Sequence, residues 1–469
     1  MKNLSVVATL VACFGTFFVG YDAGVMTGML SVPATEARFG LEQPLVRGIV
    51  VSSLYIGAFF GSLGASIPLD RLGRRRAIML GSVIFAAGVL LQATAFYVEQ
   101  IIAGRLLAGI AVGIMHSAVP IYIAEIAEEY RRGALATAIE MVLVFGIMVS
   151  FLVSLGAYHL DDNVGFRLAF ALPILCVPPL IFGMQLLPES PRWLIGKGCT
   201  KDALQSLSRL RNLPEDDPIL YKEFSQLCSS IENEAQTGEA KFAELLSPCV
   251  RKRVLLSLSI LVLGETTGLG TIFNFIPDIM RMAGIHRPEV HLLVGAGRSG
   301  ISMVASGICA LLVDRIGRRP LFLAGATCMG AAMGILSALI AVRGFPSVDD
   351  QAASYCSIAV VYLFAIGHNI SWNSIAYIYA TEILPQRLRA KALSISIGIY
   401  WLVRTMVVQV APLLLSLLGW RVFSIFSGIC FAIAVGLYFW LPETKGVPLE
   451  KMDEVFRDRR LAMSTSSMP

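Results

Sequence analysis

Twelve stretches of about twenty mostly apolar residues recur along this chain, and nothing else in the sequence limits its folding so strongly. A helix needs about 20 such residues to cross a bilayer. Inside lipid each backbone N–H and C=O must be satisfied within the spanning element, which selects helices for segments of this length. The stretches lie at 4–25, 46–67, 77–97, 101–123, 134–157 and 166–187, and after a polar break at 253–279, 290–313, 320–343, 355–381, 390–417 and 420–441. With 56% hydrophobic and 15% charged residues and a mean hydropathy of +0.70, the chain lacks the polar surface of a soluble domain, which is about one quarter charged. The first stretch reads as a retained helix rather than a cleaved leader, because Tyr21 and Asp22 interrupt it and eleven more follow.

Lys and Arg set the orientation. Arg71, Arg74, Arg75 and Arg76, then Arg131 and Arg132, then Arg315, Arg318 and Arg319, then Arg387, Arg389 and Lys391 follow the second, fourth, eighth and tenth stretches. The loops at 158–165 and 344–354 are poor in such residues. Both termini and the 188–252 segment are therefore expected in the cytoplasm. These loops account for the net charge of +5, so no nucleic-acid partner is called for. None of the nine cysteines falls in a CxxC or CxH pattern, which argues against a disulfide framework or a metal site. No nucleophile–base set or phosphate loop suggests an enzyme.

The chain repeats itself. Asp70-Arg71-Leu72-Gly73-Arg74-Arg75 returns 244 residues later as Asp314-Arg315-Ile316-Gly317-Arg318-Arg319. Glu125 with Arg132 returns 257 residues later as Glu382 with Arg389, and Pro188-Glu189-Ser190 returns 254 residues later as Pro442-Glu443-Thr444. Three similar offsets in one order imply a duplicated six-helix unit, a common transporter plan. The expected organisation is a bundle at 1–187, a linker of short amphipathic helices at 188–252, a second bundle at 253–441 and a tail at 442–469.

These motifs, with G-Y-D-A-G-V at 20–25, G-R-L-L-A-G at 104–109, P-I-Y-I-A-E at 120–125, P-E-S-P-R-W-L at 188–194 and P-E-T-K-G at 442–446, resemble the sugar porter family of the major facilitator superfamily, its fungal proton-coupled members in particular. The resemblance runs from about residue 10 to 450. It implies an all-α membrane protein with twelve helices in two pseudo-symmetric halves, a central cavity, alternating access, and a place in the plasma membrane, as a monomer. It also implies an inner-gate network of Asp70, Arg71, Arg74, Glu125, Arg132, Glu189 and Arg192, mirrored by Asp314, Arg318, Glu382, Arg389 and Glu443. Charge-assisted hydrogen bonds between such groups can latch helix ends together.

Six ionisable residues interrupt the apolar stretches: Asp22, Arg105, Glu140, Glu265, Arg298 and Arg404. Each costs about 3 kcal/mol at a bilayer centre unless paired or hydrated. Asp22 and Arg105 match the family's coupling positions, which implies that the coupling ion is a proton and that no other cofactor is needed. A permanent buried salt bridge is the alternative, and would make the protein a uniporter. A nutrient sensor is a third reading, against which only 28 residues follow Leu441.

At the substrate positions the sequence departs from the family. Glu140 stands in the fifth span where Gln is usual. Gly264 and Glu265 replace a Gln pair in the seventh, followed by Asn274 and Phe275. Ser302 takes the place of an Asn in the eighth, and Tyr377 that of a Trp in the tenth. Trp372, Tyr400 and Trp401 complete the implied set. Carboxylates accept hydrogen bonds from hydroxyls but cannot donate as amides do. The expected partner is a small polyhydroxylated substrate: a sugar, a polyol or a sugar acid whose carboxylate meets Arg298 or Arg404. Internal pairing, for example of Arg298 with Glu265, is the simpler use of those arginines. His116 and His368 read as packing histidines, Pro173, Pro178, Pro179 and Pro412 as kinks or helix ends, and Gly104, Gly109 and Gly113 as points of close helix contact.

Overall fold

The computed structural model describes residues 4–127, 132–236, 242–342, 350–385 and 388–445. Arg131, Arg387 and positions 446–469 of the tail lie outside the described residues, as do the side chains of Arg132 and Asp314. Among the described residues there is no strand. The described residues include twelve helices long and apolar enough to cross a membrane: Leu4–Met29, Pro44–Gly64, Arg74–Ala93, Val98–Ile126, Ala138–Tyr158, Asp162–Leu186, Val250–Asn274, Pro288–Val313, Arg318–Ala341, Gln351–Ala380, Lys391–Leu418 and Arg421–Trp440. They match the twelve apolar stretches one for one, with ends shifted by a few residues.

Side chains such as Leu311, Leu417, Phe182 and Trp440 stand exposed on the outer faces. So much apolar surface fits a protein solvated by lipid. Within the first half, the second and fourth spans approach closely. A Cβ on Gly109 would lie 2.2 Å from the Leu54 carbonyl oxygen, and one on Gly113 2.3 Å from that of Ala58. Between the halves, the second span packs on the eleventh and the fifth on the eighth.

Several spans are not straight. The sixth passes through a 3-10 turn at Leu172–Cys176, where Pro173 precedes Pro178 and Pro179 at the next helix start. Pro412, by contrast, sits inside a helix that runs on to Leu418. The seventh span breaks twice, through a π turn at Glu265–Leu269 and again at Phe275. The tenth carries a π turn at Asn369–Asn373. Discontinuous spans free backbone groups and re-aim side chains toward the bundle axis, where transporters place their sites.

Gly268 makes the first break in the seventh span possible. Its φ of +88° is in the left-handed region, and an added Cβ would lie 2.8 Å from both Met333 Cε and the Phe426 ring. Gly268→Ala is therefore expected to cost about 1–3 kcal/mol, read as a lower unfolding temperature in detergent with reduced transport. Gly64→Ala, which meets nothing within 4 Å, serves as the control.

The segment between the halves carries the helices Pro191–Gly196, Thr200–Arg211 and Pro218–Gln236. Arg211 ties them to the bundle, bonding Glu223 at 2.6 Å and the Ile126 carbonyl at 3.0 Å. The side of the molecule carrying this segment is called the linker face, and the opposite side the far face.

Candidate functional site

A central cavity lies between the halves, with about 120 Å³ open to the centres of water-sized molecules. The first half contributes Tyr55, His116 and Glu140 to its wall, and the second Phe273, Arg298, Ser302, Asn369, Asn373, Tyr377, Tyr400, Trp401 and Arg404. Its aromatic side is an ordered stack. The Trp401 and Tyr55 rings are near parallel with centroids 6.0 Å apart, and His116 and Tyr400 meet Trp401 edge-on at 5.4 and 5.2 Å. A flat aromatic platform beside polar groups suits a ligand with one apolar face and a hydroxylated rim.

The charges on the wall are arranged unequally. Arg404 donates to Glu265 at 2.8 Å and to the Tyr400 hydroxyl at 3.0 Å, and lies over the Tyr55 ring at 4.8 Å. Glu265 is 1% exposed and sits behind Arg404 rather than on the wall. Its partner is thus Arg404 and not Arg298, because the eleventh span packs against the π turn that carries Glu265. Arg298 instead lies over the Phe273 ring at 4.8 Å. Glu140 accepts one long hydrogen bond across the halves, from Asn373 at 3.4 Å.

Of the substrate positions expected from sequence, Glu140, Arg298, Ser302, Tyr377, Tyr400 and Trp401 line the cavity, and Glu265, Asn274, Phe275 and Trp372 do not. Trp372 is buried against Phe322 at 5.0 Å. Asn274 receives the Tyr55 hydroxyl at 2.8 Å and so holds a wall residue from behind. Phe275 is fully buried at the second break of the seventh span. His116 and His368, read from sequence as packing residues, are on the wall. Asn369 and Asn373 were not singled out at all. They flank the π turn of the tenth span, which period-based reading of an apolar run does not reveal.

Asp22 and Arg105 lie just outside the cavity, whose wall includes the neighbouring Ala23. They are 1% and 0% exposed, and Arg105 Nη1 stands 3.5 Å from Asp22 Oδ2. Gln92 donates to the other carboxylate oxygen at 3.1 Å. Asp22 Oδ2 and Arg105 Nε and Nη1 are buried without a hydrogen-bond partner. The pair is thus in Coulombic contact but loosely made, unlike the tight Glu265–Arg404 pair.

On the linker face the repeat is repeated in detail. Arg74 pairs with Glu125 at 3.0 Å and Arg318 with Glu382 at 2.9 Å. Each bridge stays within one half. Glu189 and Glu443 work differently from the side-chain latch expected of them. Glu189 accepts the backbone N–H groups of Arg74, Arg75 and Ser190, and Glu443 those of Arg318, Arg319, Thr444 and Lys445. Each carboxylate thus caps the positive end of a spanning helix. Burial pushes the Glu189 carboxyl above its ordinary pKa in spite of these bonds. At Glu443 burial acts the same way, but the four amides prevail and hold it below. Asp70 and Arg71 are exposed; the Asp70 carbonyl accepts from the Trp193 indole at 3.1 Å. Arg389 bonds the Leu384 carbonyl at 3.3 Å, and Arg192 has a partner of its own.

The far face carries a network that sequence reading missed. Arg47 of the second span is paired with Glu36 and, at 2.7 Å, with Asp278 beyond the seventh. Arg281 reaches Glu36 at 2.9 Å and the Leu30 carbonyl at 3.2 Å. Glu36, Arg47 and Leu30 belong to the first half, and Asp278 and Arg281 to the second, so these bonds join the halves. The sequence signal was only charge at span ends, which the positive-inside rule treats as loop composition.

Residues 8–456 match the family model described as sugar (and other) transporter. The chain is 30% identical to the major facilitator-type transporter ecdD of Aspergillus rugulosus over 95% of its own length and 86% of that protein. It is 31% identical to the major myo-inositol transporter IolT of Bacillus subtilis over 96% and 93%. The fold superimposes on the inward-open xylose transporter XylE of E. coli with a TM-score of 0.79 at 21% identity, covering 96% of this chain and 99% of that one. Twelve apolar helices, a duplicated plan, a central polar cavity and a family match over nearly the whole chain agree: this multi-pass membrane protein belongs to the sugar (and other) transporter family and has the major facilitator fold.

Proposed function

We propose that the protein is a proton-coupled symporter of a small polyhydroxylated solute, working by alternating access. The observation that carries the reading is the buried, loosely made Asp22–Arg105 pair one residue from the cavity wall. When Asp22 is ionised, Arg105 is held to it. When Asp22 takes a proton the attraction is lost, and Arg105 can turn to the Val51 carbonyl, already 3.5 Å from its Nη2. A change in one carboxyl thereby alters how the first, second and fourth spans are held together beside the bound solute. Solute hydroxyls donate to Glu140 and accept from Asn373 and Tyr377, and the ring lies against Trp401. XylE, described as a proton:xylose symporter, supports the same reading.

In this scheme the linker face is cytoplasmic, with both termini, and the working unit is a monomer in the plasma membrane. The two six-helix halves, 1–187 and 253–441, rock about the cavity while the linker spans them. Glu189 and Glu443 keep each half rigid on the inner side, and the far-face network closes the outside. The proton is the only cofactor.

Proteoliposome uptake with an imposed inward proton gradient, over hexoses, pentoses, polyols and sugar acids, tests the proposal. The parent protein is expected to accumulate one solute above equilibrium, and Asp22→Asn to lose accumulation while still equilibrating it. Equal, merely equilibrating uptake by both proteins would make Asp22 a structural ion and the protein a uniporter. Binding without flux would favour a sensor.

A further inference from the structure

The cavity holds a cation that has no ion-pair partner among the described residues. Of the arginines on the wall, Arg404 is neutralised by Glu265 at 2.8 Å. Arg298 is 5% exposed and has no carboxylate within 4.0 Å among the described residues. Its Nε is buried with no hydrogen-bond partner, and the contact that holds it is the face of Phe273 at 4.8 Å. A desolvated guanidinium costs several kcal/mol, and a cation–π contact returns about 2 kcal/mol at best. The difference has to be met by something that enters the cavity. Glu140 does not meet it: that carboxylate is on the opposite half and bonds Asn373.

We propose that Arg298 is an anion site, and that the preferred solute is a polyhydroxylated carboxylate, such as a uronic acid or a cyclic hydroxy acid, rather than a neutral sugar. This rests on the cavity being the transport site. The planar guanidinium takes a carboxylate in a two-pronged, charge-assisted pair. The hydroxyls on the far side of the ring then donate to Glu140, and its apolar face lies on Trp401. A neutral sugar can also accept from Arg298, but leaves its charge uncompensated.

The test is binding and uptake by the full-length protein in proteoliposomes at pH 7, with glucose and glucuronate as one matched pair and myo-inositol and quinate as the other. Each carboxylate is expected to compete at least about tenfold better than its neutral partner. Arg298→Gln should lose about tenfold or more in affinity for the acids and distinctly less for the neutral compounds, so that the preference for acids over their neutral partners collapses. Arg298→Lys, which keeps the charge but not the fork, should fall between. Wild-type protein that favours glucose over glucuronate and inositol over quinate would overturn the proposal without any variant. Asp22-dependent accumulation of a neutral sugar with the acids ignored would sink the anion site and leave the symport reading standing. Arg298-dependent binding of the acids without transport would do the reverse.

Discussion

Replacing Arg404 with methionine is expected to abolish transport and to destabilise the protein by about 3–5 kcal/mol, the usual cost of stranding one partner of a buried ion pair. Glu265 is 1% exposed and one of its oxygens already lacks a partner, so without Arg404 its charge would be left with no cation beside it. The damage should spread, because Arg404 also bonds Tyr400 and caps the Tyr55 ring, two walls of the same cavity. The double variant Glu265→Gln/Arg404→Met removes the charge as well as its partner. It should melt close to the parent and still fail to transport. Melting of the single variant together with the parent, in the same detergent, would show that the pair does not hold the cavity together.

The second large effect belongs to the far face. Arg47→Ala removes the buried cation between Glu36 and Asp278 and leaves them only the more exposed Arg281, in the network that joins the halves. A loss of about 3 kcal/mol from the closed form shifts an open–closed equilibrium roughly a hundredfold. Spin labels at the exposed Tyr97 and Tyr355, on the far ends of the two halves, should move apart in this variant, and transport should drop about tenfold or more. Arg281→Ala should do less, since its side chain is 30% exposed and water screens it. An unchanged distance distribution in Arg47→Ala would mean that helix packing alone keeps the far face shut.

The number and order of the spans were legible because each is a long apolar run and each motif occurs twice. The repeat also put Arg318 and Glu382 in one network, and made Arg74 the equivalent of Arg318. The cavity was legible only in part. A resemblance transfers positions along a helix, but the π turns at 265–269 and 369–373 rotate the helix turns beyond them. Trp372 was therefore expected at the wall and is buried behind it, while Asn373 was passed over and faces the solute space. The partner of Glu265 could not be read either. The sequence reading paired Glu265 with Arg298, and the packing of the eleventh span on the seventh gives it Arg404 instead.

The caps at Glu189 and Glu443 have a consequence for how this sequence can drift over evolutionary time. Both carboxylates grip main-chain N–H groups, which every residue except proline offers. The arginines at 75 and 319 supply those amides whatever side chain they carry. The side chains at 75 and 319 can therefore change without unfastening the helix starts, so long as one acid persists at each site, whereas Arg74 and Arg318 are also held by their own ion pairs. Inherited variation should accordingly pool at positions 75 and 319 and spare Glu189 and Glu443.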